Sequence, residues 1–137
     1  MFATGTAVGP FLSILNSEDC WDRYERFILV YAVRYAEDLA YLEQIRALEK
    51  AHPDAFHFVP VVSRESADGM LQGRIPALLA DDSIQQQVDI PIKPARSQTM
   101  ICGNPEMIRE TLAVLESMGL RKNLRRTPGQ ITMEKYW

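Results

Sequence analysis

Phe27-Ile28-Leu29-Val30-Tyr31-Ala32-Val33 is a run in which no position alternates to a charged or strongly polar side chain. A strand with one face in water would alternate apolar and polar residues. This one is apolar on both faces and rich in β-branched and aromatic residues, so it reads as an interior strand of a parallel sheet, covered by helices on each side. The rest of the chain supports that frame, because short apolar runs alternate with longer amphipathic ones. Upstream, Met1-Phe2-Ala3 reads as a first strand cut partway, with Met1 an internal residue of a longer strand, and leads into the turn Thr4-Gly5-Thr6-Ala7-Val8-Gly9-Pro10. Pro10 suits the first position of a helix, whose apolar face is Phe11, Leu12, Ile14 and Leu15.

Downstream, Leu39, Leu42, Ile45 and Leu48 predict a helix over Glu37 to Ala51, closed by Pro53. Phe56 to Val62 is the next strand, ending in Ser63-Arg64-Glu65, and Pro76 opens a short helix after Gly73-Arg74-Ile75. Asp81 to Ser97 reads as mostly loop with a helix at Ser83–Val88. Gln98 to Cys102 is a fourth strand, stopped by Gly103-Asn104-Pro105. Pro105 opens a helix bearing Ile108, Leu112 and Leu115, with Gly119 as its C-cap, and Gln130 to Trp137 forms a last strand. The expected fold is one doubly wound α/β domain.

Composition bounds the function. A chain of 137 residues, 47% hydrophobic, suits one domain with a core of its own. Fifteen basic against eighteen acidic residues give a net charge of −3, which argues against a nucleic-acid partner. No apolar run approaches membrane-spanning length, so no membrane partner is expected. The N-terminus shows neither the basic nor the apolar region of a signal peptide. Cys20 and Cys102 are therefore expected as reduced thiols of a cytoplasmic protein. The two cysteines and two histidines show no ligand spacing, so no metal is expected, and His52 and His57 are read as solvated.

Ligands of open parallel sheets bind beyond the carboxyl ends of the strands. The small residues of Gly5–Pro10, followed by a helix N-terminus, suit a pyrophosphate, although the stretch departs from G-x-G-x-x-G with Ala7 at the middle glycine. It reads equally as a tight strand-to-helix turn. The next strand ends carry Arg34, then Ser63-Arg64, with Arg74 ten residues on. Arginine forks beside a hydroxyl suit a 2′-phosphate, where a site for the unphosphorylated ribose would carry an acidic residue. Cys102 stands at a strand terminus facing the same crevice, yet neither histidine is an evident base for it, and a lone cysteine there also reads as a small buried hydrophobe. Tyr136 and Trp137 read either as a cap on the core or as a stack on a planar cofactor.

Thr4-Gly5-Thr6-Ala7-Val8-Gly9-Pro10-Phe11, Ser63-Arg64-Glu65, Gly73-Arg74-Ile75-Pro76, Cys102-Gly103-Asn104-Pro105-Glu106-Met107 and Glu134-Lys135-Tyr136-Trp137 follow in one order. Together they resemble the NADP-binding half of bacterial ferredoxin (flavodoxin)–NADP reductases, over essentially the whole chain. The resemblance implies a Rossmann-like, doubly wound sheet of five parallel strands with helices on both faces. It implies NADP(H) as a cofactor, with Thr4, Gly5, Thr6, Gly9 and Pro10 on the pyrophosphate side and Arg34, Ser63, Arg64 and Arg74 on the 2′-phosphate and adenosine side. Cys102, Gly103 and Asn104 would lie near the nicotinamide, where hydride passes between its C4 and the flavin N5. Cys102 and Glu134 are the implied catalytic residues, and Tyr136 and Trp137 would pack against FAD.

The implied enzyme is an oxidoreductase exchanging electrons between NADPH and ferredoxin or flavodoxin through FAD. Many relatives carry Gly-Thr-Gly-x-Ala-Pro where this chain has Gly5-Thr6-Ala7-Val8-Gly9-Pro10. The family's FAD module, an N-terminal β-barrel with an Arg-x-Tyr-Ser motif, matches nothing in residues 1–137. The expected organisation is one NADP-binding domain over residues 1–137, inactive alone, with the FAD barrel absent from the chain and its facing surface open to self-association. A different reading is a stand-alone NADP(H)-binding or interaction module without catalysis. The basic run Arg121 to Arg126 reads as a solvated face or as a docking element for an acidic electron carrier.

Overall fold

The computed structural model describes residues 1–135. Its sheet is built of β1 (Phe2–Thr4), β2 (Phe27–Val33), β3 (Phe56–Val62), β4 (Leu71–Gln72), β5 (Thr99–Gly103) and β6 (Ile131–Lys135). Their order is β4-β3-β2-β1-β5-β6, and every pairing is parallel. Parallel strands need crossovers, here supplied by α1 (Gly9–Leu15), α2 (Glu18–Arg23), α3 (Leu42–Ala51), α4 (Ile75–Ala80), α5 (Ser83–Val88) and α6 (Pro105–Ser117).

The period-2 geometry of β2 divides the core in two. Phe27, Leu29, Tyr31 and Val33 join Leu15, Ile45, Leu48 and Phe56 on one face. Val30, with Ile28 and Ala32, packs with Val59, Val61, Ile75, Leu79, Ile108 and Leu115 on the other. The all-apolar sequence of β2 is thus explained by burial on both faces.

Several boundaries differ from the sequence expectation, each for a physical reason. There are six strands rather than five, because Leu71–Gln72 adds alongside Val61–Val62 at the edge. The helix expected over Glu37 to Ala51 is broken. A 3-10 turn at Ala36–Asp38 is followed by Tyr41 at φ 60°, and only then does α3 begin. The buried Tyr31 hydroxyl accepts from the Ala40 N–H at 3.3 Å, drawing the backbone out of helical register while Leu39 stays buried. Gly103 ends β5 rather than stopping it. An additional helix, α2, has an acidic first turn and a basic last turn, as the helix dipole favours. The histidines are half-buried rather than solvated. His52 stacks on Trp21 at 3.7 Å between ring centroids, and His57 Nε2 is enclosed without a hydrogen-bond partner. The helix at Ser83–Val88 and the cap at Gly119 stand as expected. Gly119 has φ 91°, and Leu120 N–H bonds Leu115 C=O beyond it at 3.1 Å.

Candidate functional site

The chain reverses its direction of travel across the sheet at β1, since β2 to β4 lie on one side of it and β5 and β6 on the other. The crevice above the carboxyl ends of β1 and β5 is the switch point where such sheets bind ligands. Two segments meet there. The first is the 3-10 turn Gly5–Val8, entered by Gly5 at φ 55°, which runs into α1 with Pro10 in its first turn. Neither this turn nor α1 has a side-chain cap, and of the donors where they join, Gly9 N–H is taken by Thr6 C=O. A Cβ on Gly9 would meet nothing within 4 Å, which leaves space beside the turn.

The second segment is the β5–α6 junction. Asn104 caps α6 by accepting from Met107 N–H at 2.8 Å, and its own N–H donates to Thr4 Oγ1 at 3.4 Å. A Cβ on Gly103 would stand 2.3 Å from Thr4 Oγ1 and 2.6 Å from Met107 Cε. Gly103 is therefore the residue that lets the two segments approach. The three-residue stretch Gly103-Asn104-Pro105 is, in space, a joint between the first turn and α6.

Cys102 precedes this joint and is 2% exposed. Burial pushes its thiol pKa up, and the charge of Glu134, its register partner on β6, raises it further. The thiol is held neutral, which suits a packing contact and not a nucleophile. Glu134 itself is exposed. Tyr136 and Trp137 lie outside the described residues.

The arginines occupy three adjacent strand ends. Arg34 follows β2, Ser63 and Arg64 follow β3, and Arg74 follows β4. Backbone bonds extend the ladder here, Ser63 N–H to Val33 C=O at 3.1 Å and Arg64 N–H to Arg34 C=O at 3.0 Å. The Glu65 carboxylate accepts from Ala36 N–H and ties the loop after β2 to the loop after β3. All four side chains, Arg34, Ser63, Arg64 and Arg74, are exposed. Arg74 is already engaged, its Nη2 lying 3.2 Å from Glu110 Oε2 and 3.7 Å from Glu106 Oε2 on α6. Of these glutamates the sequence reading named only Glu106, inside the Cys102–Met107 motif, and gave neither a role beside Arg74. The only signal was their i, i+4 spacing at the start of a helix, and nothing local connects that to Arg74.

A groove of about 420 Å³ lies at the opposite end of the sheet, lined by Tyr24, Arg26, Ile28, Ile90, Lys93 and Thr99 among others. It contains none of the candidate catalytic or cofactor-binding residues read from the sequence. Among the described residues no cluster of His, Cys, Asp and Glu is placed to hold a metal, and no helix is long and apolar enough to cross a membrane.

Comparison with known proteins agrees with this geometry. Residues 1–112 match the model of the oxidoreductase NAD-binding domain. The chain is 46% identical over its full length to a flavodoxin/ferredoxin–NADP reductase of Escherichia coli (strain K12), of which it covers 56%. It is 33% identical, over 98% of its length, to a ferredoxin–NADP reductase of Pseudomonas aeruginosa, covering 55% of that protein. A crystal structure of a ferredoxin NADP+ reductase from Neisseria gonorrhoeae with bound FAD and NADP superposes with a TM-score of 0.93 at 38% identity, over 100% of this chain and 55% of that one. The chain thus spans about half the length of the relatives it matches. With a matching parallel sheet, a switch point at β1 and a family match over residues 1–112, this chain belongs to the oxidoreductase NAD-binding domain family.

Proposed function

We propose that this chain is the NADP(H)-binding part of a FAD-dependent reductase that passes electrons between NADPH and ferredoxin or flavodoxin. The observation that carries the reading is the likeness, over the whole of this chain and 55% of the other, to a reductase holding both FAD and NADP. The residues fit the nucleotide. The uncapped donors after Thr4 and the space beside Gly9 would receive a pyrophosphate, with Gly5, Thr6 and Pro10 shaping the turn. Arg34, Arg64 and Arg74 at neighbouring strand ends, with Ser63 between, would hold a 2′-phosphate. Gly103 and Asn104 keep the floor under the nicotinamide fixed to the first turn. Cys102 supplies a neutral, close-packed contact beside it, and Glu134 a carboxylate at the same register. The cofactor, when bound, supplies the hydride, and the chain's part is to position it and exclude water.

The flavin is assigned to the remainder of the longer relatives, a β-barrel module in this reading, with Tyr136 and Trp137 as this chain's contribution. The 137-residue chain alone is accordingly expected to bind NADP(H) without reducing a dye acceptor. The exposed basic loop with Arg125 and Arg126 would steer an acidic ferredoxin or flavodoxin. The face that meets the flavin module offers the isolated chain a surface for self-association. Two free, buried cysteines accord with a reducing compartment, the cytoplasm. Calorimetry of the chain with NADP+ and NAD+ tests the reading. NADP+ should bind at least about tenfold tighter, from charge-assisted contacts worth about 1.5–3 kcal/mol. Equal dissociation constants would refute it.

A further inference from the structure

Arg74 differs from its neighbours in being paired. Among the described residues neither Arg34 nor Arg64 has an acidic side chain within 4.0 Å, whereas one nitrogen of Arg74 faces two. Glu106 and Glu110 lie one helical turn apart on α6, so both reach the same guanidinium. A single carboxylate would neutralise Arg74. Two leave Arg74 and its partners with a net charge of −1, beside the unpaired Arg34 and Arg64 at the neighbouring strand ends.

The pairing is open to solvent, with the Arg74 side chain 54% exposed and Glu110 34%. Exposed pairs of this kind are weak and exchange partners readily. A phosphate dianion offers an arginine fork a stronger, bidentate partner. It would draw Arg74 away, but would then stand beside two carboxylates that repel it.

We propose that Glu106 and Glu110 set the nucleotide specificity of this corner, weakening the hold of Arg74 on a 2′-phosphate while leaving a 2′-hydroxyl nucleotide unaffected. The inference rests on the NADP(H) reading of the same site. It assigns the carboxylates a role in affinity, through Arg74, and no contact with the reacting atoms.

The test is calorimetry of the full 137-residue chain with adenosine 2′,5′-bisphosphate and with adenosine 5′-monophosphate as probes. Wild type is compared with Glu106→Gln, Glu110→Gln and the double variant. The double variant should bind the bisphosphate about three- to tenfold tighter than wild type, the combined worth of two exposed charge contacts. Binding of the monophosphate should change by less than about twofold, and the gain should shrink as added salt screens it. An unchanged affinity, a loss, or an equal gain for both probes overturns the proposal; a loss would mean that the carboxylates preorganise Arg74. Arg74→Ala separates this from the reading beneath it. If wild type shows no preference for the bisphosphate, the NADP(H) reading and this proposal fall together. If wild type prefers it, Arg74→Ala reduces the preference and the glutamine variants leave it alone, only the proposal falls.

Discussion

Gly103→Ala should be among the most damaging single-methyl additions in this protein. Gly103 ends β5 in ordinary extended backbone, so alanine costs nothing in conformation there. The penalty is steric, from a Cβ placed 2.3 Å from Thr4 Oγ1 and 2.6 Å from Met107 Cε. The Met107 methyl is the end of a flexible side chain and can swing away. Thr4 is stiff at χ1, and its hydroxyl accepts from Asn104 N–H, so moving it also leaves that donor without its partner. Overpacking of this kind costs about 1–3 kcal/mol and a lost hydrogen bond about 1 kcal/mol, giving about 2–4 kcal/mol together. For a domain of this length that lowers the melting temperature by about 10 °C. Urea unfolding followed by circular dichroism measures it directly. The same substitution in a Thr4→Ala background should cost less than about 1 kcal/mol, because the close oxygen is gone. A Gly103→Ala variant within about 0.5 kcal/mol of wild type, or an equal penalty in both backgrounds, would refute the packing argument.

Two further outcomes follow from other contacts. In the 137-residue chain prepared with a free amino terminus, burial lowers the pKa of the Met1 ammonium from 8.0 to about 5, and it donates to Ile28 C=O at 2.9 Å. The unfolded chain then binds more protons between those values, so stability should rise with pH from 5 to 8 by up to about 4 kcal/mol. N-terminal acetylation should remove that component, and the difference between free and acetylated chains in urea titrations at pH 5 and 8 checks it. Asn104→Ala removes the cap of α6 and should cost about 1 kcal/mol, with Asn104→Ser or Asn104→Asp recovering most of it in the same assay.

Much of the fold was legible because burial on two faces leaves a plain record. β2 could be read from seven residues, and the helices opened by Pro10, Pro76 and Pro105 from fixed φ at the first turn. What escaped was set by distant contacts. The break before α3 is invisible because Leu39 and Leu42 keep helical spacing across it, while its cause, the Tyr31 hydroxyl, lies on another element. β4 is too short for any periodicity. At the site, the glycine turn and the arginines announced themselves as residue types at strand ends. The neutral state of Cys102 needed the structure to show its burial, and Arg74 meets Glu106 and Glu110 only through the packing of α4 on α6.

The placement of β1 also governs when this domain can form. Phe2 pairs with Val30 on one side and with Ile101 on the other, so the strand at the turning point precedes one of its neighbours by about a hundred residues. On the ribosome, β1 to β4 can associate while that flank of β1 stands bare. The seam closes only once β5 has left the exit tunnel, and β6 can pair only after that. The same late event brings Gly103 and Asn104 against Thr4. If the proposed site is right, nucleotide binding is acquired near the end of folding, and a bound nucleotide spanning both segments would hold shut the last seam made.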